Sequence, residues 1–308
     1  MPCAVVFAYH DVGVRCLQVL LAGGIDVRLV VTHADDPNEK IWFGSVAKTA
    51  ADYGIPVIVH DGPGEAGLVA QIASLAPDFL FSFYYRRMLG RQLLVIPARG
   101  AFNMHGSLLP KYRGRVPVNW AIIHGERETG ATLHEMVEKP DAGRIVDQQA
   151  VPILPDDLAI DVFHKVTVAA EMVLARSLPL LIQGSAQLRT QDLSRGSYFG
   201  GRKPEDGRID WSSSAQAIHN LVRAVAPPFP GAFTEVQGAR LRLLRARLAP
   251  GEARASAPAL MVEAGECHAV CGDGATLRLL GLELDGKPFT AADFLARYGA
   301  HPIALPTP

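Results

Sequence analysis

The chain is poor in cysteine, has no surplus of charge of either sign and shows no obvious membrane or dinucleotide signature. Four cysteines in 308 residues are too few for a disulfide scaffold, so the composition points to a reducing compartment. Thirty basic residues against 31 acidic ones leave a formal charge of −1, which gives no electrostatic reason to expect a nucleic-acid partner. The apolar run from Ala4 to Ala8 is short and soon meets His10 and Asp11, unlike a signal peptide, and no stretch approaches the ~20 apolar residues of a membrane helix. A cytoplasmic protein without membrane insertion is predicted. The first strand is followed by Tyr9–Cys16 with the single glycine Gly13, whereas a pyrophosphate turn requires G-x-G-x-x-G, which argues against an NAD-dependent dehydrogenase. Cys267, His268 and Cys271 lack the further ligands of a metal site and read as a core strand; no metal is expected.

What is present is ample apolar residue, 49% of the chain, in a pattern that changes along its length. Ala4–Ala8, Val27–Thr32, Val57–Val59 and Phe79–Phe83 read as buried strands, separated by helical patterns at Val14–Ala22, Gly44–Tyr53 and Glu65–Leu75. This alternation predicts an α/β fold with a mostly parallel sheet and helices on both faces. Its ligand rim would carry Tyr9-His10-Asp11, Thr32-His33-Ala34, Tyr84-Tyr85-Arg86 and Asn103-Met104-His105 beyond the carboxyl ends of the strands. A long helix at Leu158–Ile182, kinked near Pro179, precedes an exposed loop or linker at Asp192–Pro204. A helix at Ser213–Val225 and short strands at Ala232–Val236, Leu241–Leu248, Ala269–Cys271 and Thr276–Leu284 then suggest a small β-barrel. Arg240, Arg242, Arg245 and Arg247 form a dense basic strand without aromatic stacking partners, and are read as a solvated face.

Chemistry concentrates where the apolar run through Val95, Ile96, Ala101 and Phe102 ends in Asn103-Met104-His105-Gly106-Ser107-Leu108-Leu109-Pro110. On an extended backbone Asn103 and His105, two apart, share one face. An imidazole that moves the proton of an attacking amine, beside an amide that hydrogen-bonds a developing oxyanion, suits acyl transfer. Asp141, in the turn Lys139-Pro140-Asp141-Ala142-Gly143, is the candidate carboxylate to favour the imidazolium and fix its tautomer. Ser107 could order a water or the His ring, or serve as a turn hydroxyl.

Phe102–Pro110, continued by Lys111-Tyr112-Arg113-Gly114-Arg115 and Pro117, closely resembles the 10-formyltetrahydrofolate-dependent formyltransferase family. The likeness extends through Thr129-Gly130-Ala131-Thr132-Leu133-His134, Asp141-Ala142-Gly143, Val222-Arg223-Ala224-Val225 and Pro228-Phe229-Pro230-Gly231-Ala232-Phe233. The resemblance implies a Rossmann-like catalytic domain over 1–203 and an OB-like domain over 204–308, with Asn103, His105 and Asp141 as the catalytic triad. It implies that 10-formyltetrahydrofolate, the formyl donor, lies between Arg87-Met88-Leu89 and Val137-Glu138-Lys139-Pro140-Asp141, and that Arg115 contacts a nucleotide. The strings at Val5–Asp11, Thr32–Lys40 and Phe81–Arg86 are similar to members that formylate UDP-4-amino-4-deoxy-L-arabinose in lipid A modification and polymyxin resistance. A UDP-aminosugar acceptor is therefore expected, with methionyl-tRNA or another nucleotide 4-aminosugar as the alternatives. The folate and the sugar nucleotide are the expected partners, with no nucleic acid and with homo-oligomerisation left open.

Overall fold

The computed structural model describes residues 1–37, 39–60, 66–251 and 257–307. The chain divides into two compact units. One comprises Met1–Pro117, Glu128–Val151 and His164–Gly200, and the other comprises Val118–Arg127, Pro152–Phe163 and Gly201–Pro308.

In the first unit the strands are β1 (Cys3–Ala8), β2 (Asp26–Thr32), β3 (Val57–Val59), β4 (Phe79–Phe83), β5 (Ala101–His105), β6 (Arg113–Gly114), β7 (Glu128–Glu135), β8 (Ile145–Pro152) and β9 (Tyr198–Phe199). Seven of them form one sheet in the order β3-β2-β1-β4-β5-β7-β8, while β6 and β9 pair separately. The sheet is parallel from β3 to β5, and β7 runs antiparallel to β5. All six residues of β1 are buried, so both faces of the sheet are covered, as an unbroken apolar strand requires. One face packs Val5, Phe7, Leu29, Val31 and Leu80 against Leu68 and Ile72 of α3 (Ala66–Ser74) and Leu93 of α4 (Arg91–Leu94). Each such side chain contributes about 1.5–3 kcal/mol by leaving water. Asn103 and His105 follow Ala101 on this same face and lie where the apolar cluster ends.

Several boundaries differ from expectation. α1 (His10–Ala22) begins at His10, not Val14, because Tyr9 supplies an extended N-cap and Asp11 places its charge in the first turn. His10 and Asp11 are thus helical and not part of a rim loop. α2 is shorter, Val46–Asp52, because the Ser45 hydroxyl caps it by accepting from Lys48 N. Glu65, the expected start of α3, lies outside the described residues. α6 (Ala159–Gln183) continues through Pro179, whose position near the helix end costs few backbone bonds. α6 is also the one helix among the described residues long and apolar enough to cross a membrane, with a mean hydropathy of 1.4, contrary to the expected absence of such a stretch. Half of that window is buried, as in a core helix.

The second unit contains most of α5 (Pro117–Ile123), α7 (Ala215–Val225) and α8 (Ala291–Tyr298). Its strands are β10 (Ala232–Val236), β11 (Ala239–Leu248), β12 (Ala259–Glu263), β13 (Glu266–Val270), β14 (Thr276–Leu284), β15 (Lys287–Pro288) and β16 (Ile303–Ala304). They form an antiparallel sheet in the order β10-β11-β14-β13-β12-β16, with β15 beside β14, the half-barrel of the expected fold class. Three of the four arginines of β11 have local partners: Arg242 pairs with Glu283 at 2.8 Å, Arg247 with Asp156 at 3.0 Å, and Arg240 covers the Phe233 ring at 3.9 Å. Cys267 and Cys271 are buried free thiols, and no described group of three or more His, Cys, Asp or Glu is disposed to hold a metal.

Candidate active site

The register of the sheet assembles the site. Asn103 of β5 stands opposite His134 of β7, and His105 opposite Thr132, so side chains distant in sequence meet across one strand pair. Asn103 Nδ2 lies 3.1 Å from His134 Nε2. His134 Nδ1 lies 2.7 Å from the Glu135 carbonyl, which can only accept, so Nδ1 carries a proton. Nε2 then accepts from Asn103 or, on a doubly protonated ring, donates to Asp141 Oδ1 at 3.5 Å.

His105 is held in a similar way. Nε2 donates to the Tyr112 carbonyl at 2.8 Å, while Nδ1 faces Asp141 Oδ1 at 3.6 Å. The ring is buried, with 6% exposure, and the carboxylate between the two imidazoles is nearly so. Burial alone would push the Asp141 carboxyl up. The nearby His105 ring, attraction and hydrogen bonding from His134, and the Gly114 N–H at 2.8 Å outweigh it and hold the carboxyl well below the usual carboxylate range. Asp141 adopts φ +52°, a left-handed conformation uncommon outside glycine but tolerated by Asp. The turn closes at Gly143, where a Cβ would lie 2.0 Å from the Glu135 carbonyl oxygen.

The loop after β5 is fixed by Thr132, whose hydroxyl donates to the Ser107 carbonyl at 2.6 Å and accepts from Leu109 N at 3.2 Å. Ser107 itself donates to the Lys111 carbonyl at 2.7 Å. Its hydroxyl also lies 3.4 Å from the Tyr112 carbonyl that holds His105, so Ser107 fixes the turn and borders the anchor of the ring. Gly106 abuts Tyr84, whose hydroxyl would lie 2.0 Å from a Cβ at that position.

The two segments expected to flank the folate also lie together. Leu89 joins the buried cluster against which Met136 packs, and Arg91 pairs with Glu138 at 3.5 Å. Met88 and Val137 stay exposed and available to a ligand. In the basic loop, Arg115 is exposed, whereas Arg113 is buried and its Nε has no hydrogen-bond partner among the described residues.

Sequence reasoning missed three contributors. His134 appeared only within a string; its signal was alternation with Thr132 on a strand facing β5. Gln191 donates to the carbonyls of Asp141 at 3.1 Å and Gly143 at 2.6 Å. Ser197 accepts from Tyr112 N at 2.8 Å. Both lie in or beside the stretch read as a linker, and nothing local in a Ser- and Gly-rich sequence announces such contacts.

A strand-end Asn and His beside a buried Asp bring together an amide donor, an imidazole and a carboxylate, the groups that acyl transfer employs. Residues 7–178 match the family described as formyl transferase, and residues 202–299 match the formyl transferase C-terminal domain; the chain belongs to this family. Among solved structures it is similar to an N-formyltransferase from Helicobacter canadensis in complex with folinic acid and dTDP-3-aminofucose. That match has a TM-score of 0.72 and 20% identity, covering 94% of this chain and 100% of the other. A sugar 3-N-formyltransferase determined with dTDP and 5-N-formyl-THF matches with a TM-score of 0.70 at 20% identity, covering 91% and 97%. A sugar N-formyltransferase from a Shewanella species has a TM-score of 0.63 at 19% identity, covering 82% and 99%. At these identities the likeness concerns the fold.

Proposed function

We propose that this formyltransferase moves the formyl group of 10-formyltetrahydrofolate to the 4-amine of a UDP-aminosugar, UDP-4-amino-4-deoxy-L-arabinose by preference, in lipid A modification in the cytoplasm. The observation that carries the transfer chemistry is the buried His105–Asp141–His134 cluster beside the Asn103 amide. A neutral amine attacks the formyl carbon, forming the new C–N bond. Asn103 donates to the oxyanion of the tetrahedral adduct. His105 accepts the amine proton and returns it to the departing folate nitrogen as the old C–N bond breaks. Because Nε2 carries its proton toward the Tyr112 carbonyl in the free site, it can accept the amine proton only after the ring proton has moved to Nδ1, which faces Asp141, and the amine has replaced that carbonyl. Asp141 is the counter-charge for the imidazolium, within a catalytic domain spanning 1–203 and followed by the 204–308 domain.

Arg87-Met88-Leu89 and Val137–Asp141 would line the folate, held mainly through backbone groups. For the acceptor, Arg115 is the nucleotide contact, and the buried Arg113, whose Nε has no hydrogen-bond partner among the described residues, favours an anion such as a diphosphate. The structures with dTDP and dTDP-3-aminofucose named above support a nucleotide-sugar acceptor over tRNA, as does the balanced charge of the chain.

The deciding experiment incubates the protein with 10-formyltetrahydrofolate and a panel of UDP- and dTDP-4-aminosugars alongside methionyl-tRNA, reading formyl mass gain. Formylation of methionyl-tRNA without formylation of any aminosugar nucleotide would replace this acceptor with the tRNA. In the same assay Arg113→Ala and Arg115→Ala should raise KM for the sugar nucleotide more than for the folate.

A further inference from the structure

The segment from Arg189 to Phe199 touches both halves of the site. Arg189 exchanges two 2.8 Å backbone hydrogen bonds with Ile145, beyond the Asp141 turn. Gln191 then spans the turn, giving one amide group to the carbonyls of Asp141 and Gly143. Six residues later Ser197 accepts from Tyr112 N through its hydroxyl and from Arg113 N, at 3.0 Å, through its carbonyl. The Phe199 carbonyl accepts from Arg115 N at 3.0 Å. The same loop supplies the Tyr112 carbonyl that holds His105 and the Gly114 N–H that holds Asp141. One short segment thus ties the backbone that carries the carboxylate to the backbone that orients the imidazole.

Gln191 is the side chain on which this tie depends. It is 9% exposed, and its Oε1 is buried with no hydrogen-bond partner among the described residues. The reverse amide orientation would set Oε1 against two carbonyl oxygens, so the donor orientation is fixed by its partners. An unpaired buried oxygen is a cost to stability, which makes a purely stabilising role for a glutamine here a poor account. What the two N–H groups do accomplish is to restrain Asp141 at φ +52°, the conformation that aims its carboxylate between His105 and His134.

We propose that Gln191 is a positioning residue for the Asp141–His105 pair, acting through the backbone of the 141–143 turn without touching substrate. The inference rests on the proposed role of Asp141 in formyl transfer. Gln191→Met keeps the length and removes both donors. It should lower kcat by about tenfold, the lower end of what orienting partners contribute at ligand sites. KM for the folate should stay within about twofold, because uniform binding is untouched. In an Asp141→Asn background the same substitution should cost almost nothing, since residues acting as a unit are non-additive.

A second readout needs no turnover: the pH titration of the His105 ring followed by NMR in the ligand-free protein. In Gln191→Met it should move in the same direction as in Asp141→Asn. An equal kcat loss in both backgrounds, or a His105 titration identical to that of the unsubstituted protein, overturns the proposal. Should Gln191→Met fail to fold, Gln191→Leu, likewise without donors and without charge, carries the same comparison. If the unsubstituted chain transfers no formyl group, the proposed function fails, and the NMR comparison still decides the role of Gln191.

Discussion

Asn103 and His134 face each other across the β5–β7 strand pair with 3.1 Å between their side-chain nitrogens, so the amide proposed to meet the oxyanion is oriented by a histidine from another strand. His134→Phe should preserve the fold yet leave the Asn103 amide free to rotate. We expect kcat to fall by less than for Asn103→Ala while KM for both substrates stays near its starting value. A steady-state comparison of the two variants checks this, and an unchanged kcat in His134→Phe would show that Asn103 is oriented by something else.

Asp141 sets the pH behaviour. Its carboxyl is held below the ordinary range in the folded protein, so the interactions of the charged group stabilise the fold above the unfolded value of about 3.9 and fade as pH falls through the lowered folded value. The denaturant midpoints of the unsubstituted protein and Asp141→Asn should differ at neutral pH and converge in acid. A gap that stays constant from neutral pH into acid would mean that the charge of Asp141 is not what stabilises the turn. In the activity profile, loss of the carboxylate removes the anion favouring imidazolium, so the acidic limb should move to lower pH.

Close packing around the turn makes a third prediction. At Gly143 a Cβ would stand 2.0 Å from the Glu135 carbonyl oxygen, a backbone atom that cannot swing away. Gly143→Ala should destabilise the protein by about 1–3 kcal/mol, as overpacking does, and should reduce transfer further by displacing Asp141. Thermal unfolding and turnover measured together check it; a variant with native stability and native rate would show that the turn relaxes freely.

Much of this was legible in the sequence, for identifiable reasons. β1 and β4 read correctly because their unbroken apolar runs between helical patterns suit strands buried on both faces, whereas β3, expected to be buried, is an edge strand with Val59 exposed; Asn103 and His105 shared a face because the strand period is two. Helix starts were less legible: His10 looked like loop because its left-handed φ of +68° belongs to a tertiary setting that spacing does not encode. β12 and α8 escaped notice, one being short and the other opening on the Thr290-Asp293 capping pair within a polar stretch. The contributions of Gln191 and Ser197 come from contacts made 48 to 85 residues away in sequence, which no local pattern announces.

Formyl transfer by single-site variants tests the central claim most directly. With 10-formyltetrahydrofolate and UDP-4-amino-4-deoxy-L-arabinose, Asn103→Ala and His105→Ala should each lose ~10²-fold or more in kcat, the usual contribution of an oxyanion donor or a general base, with circular dichroism unchanged. Near-native turnover in either variant would contradict the assignment of that residue to the transfer step.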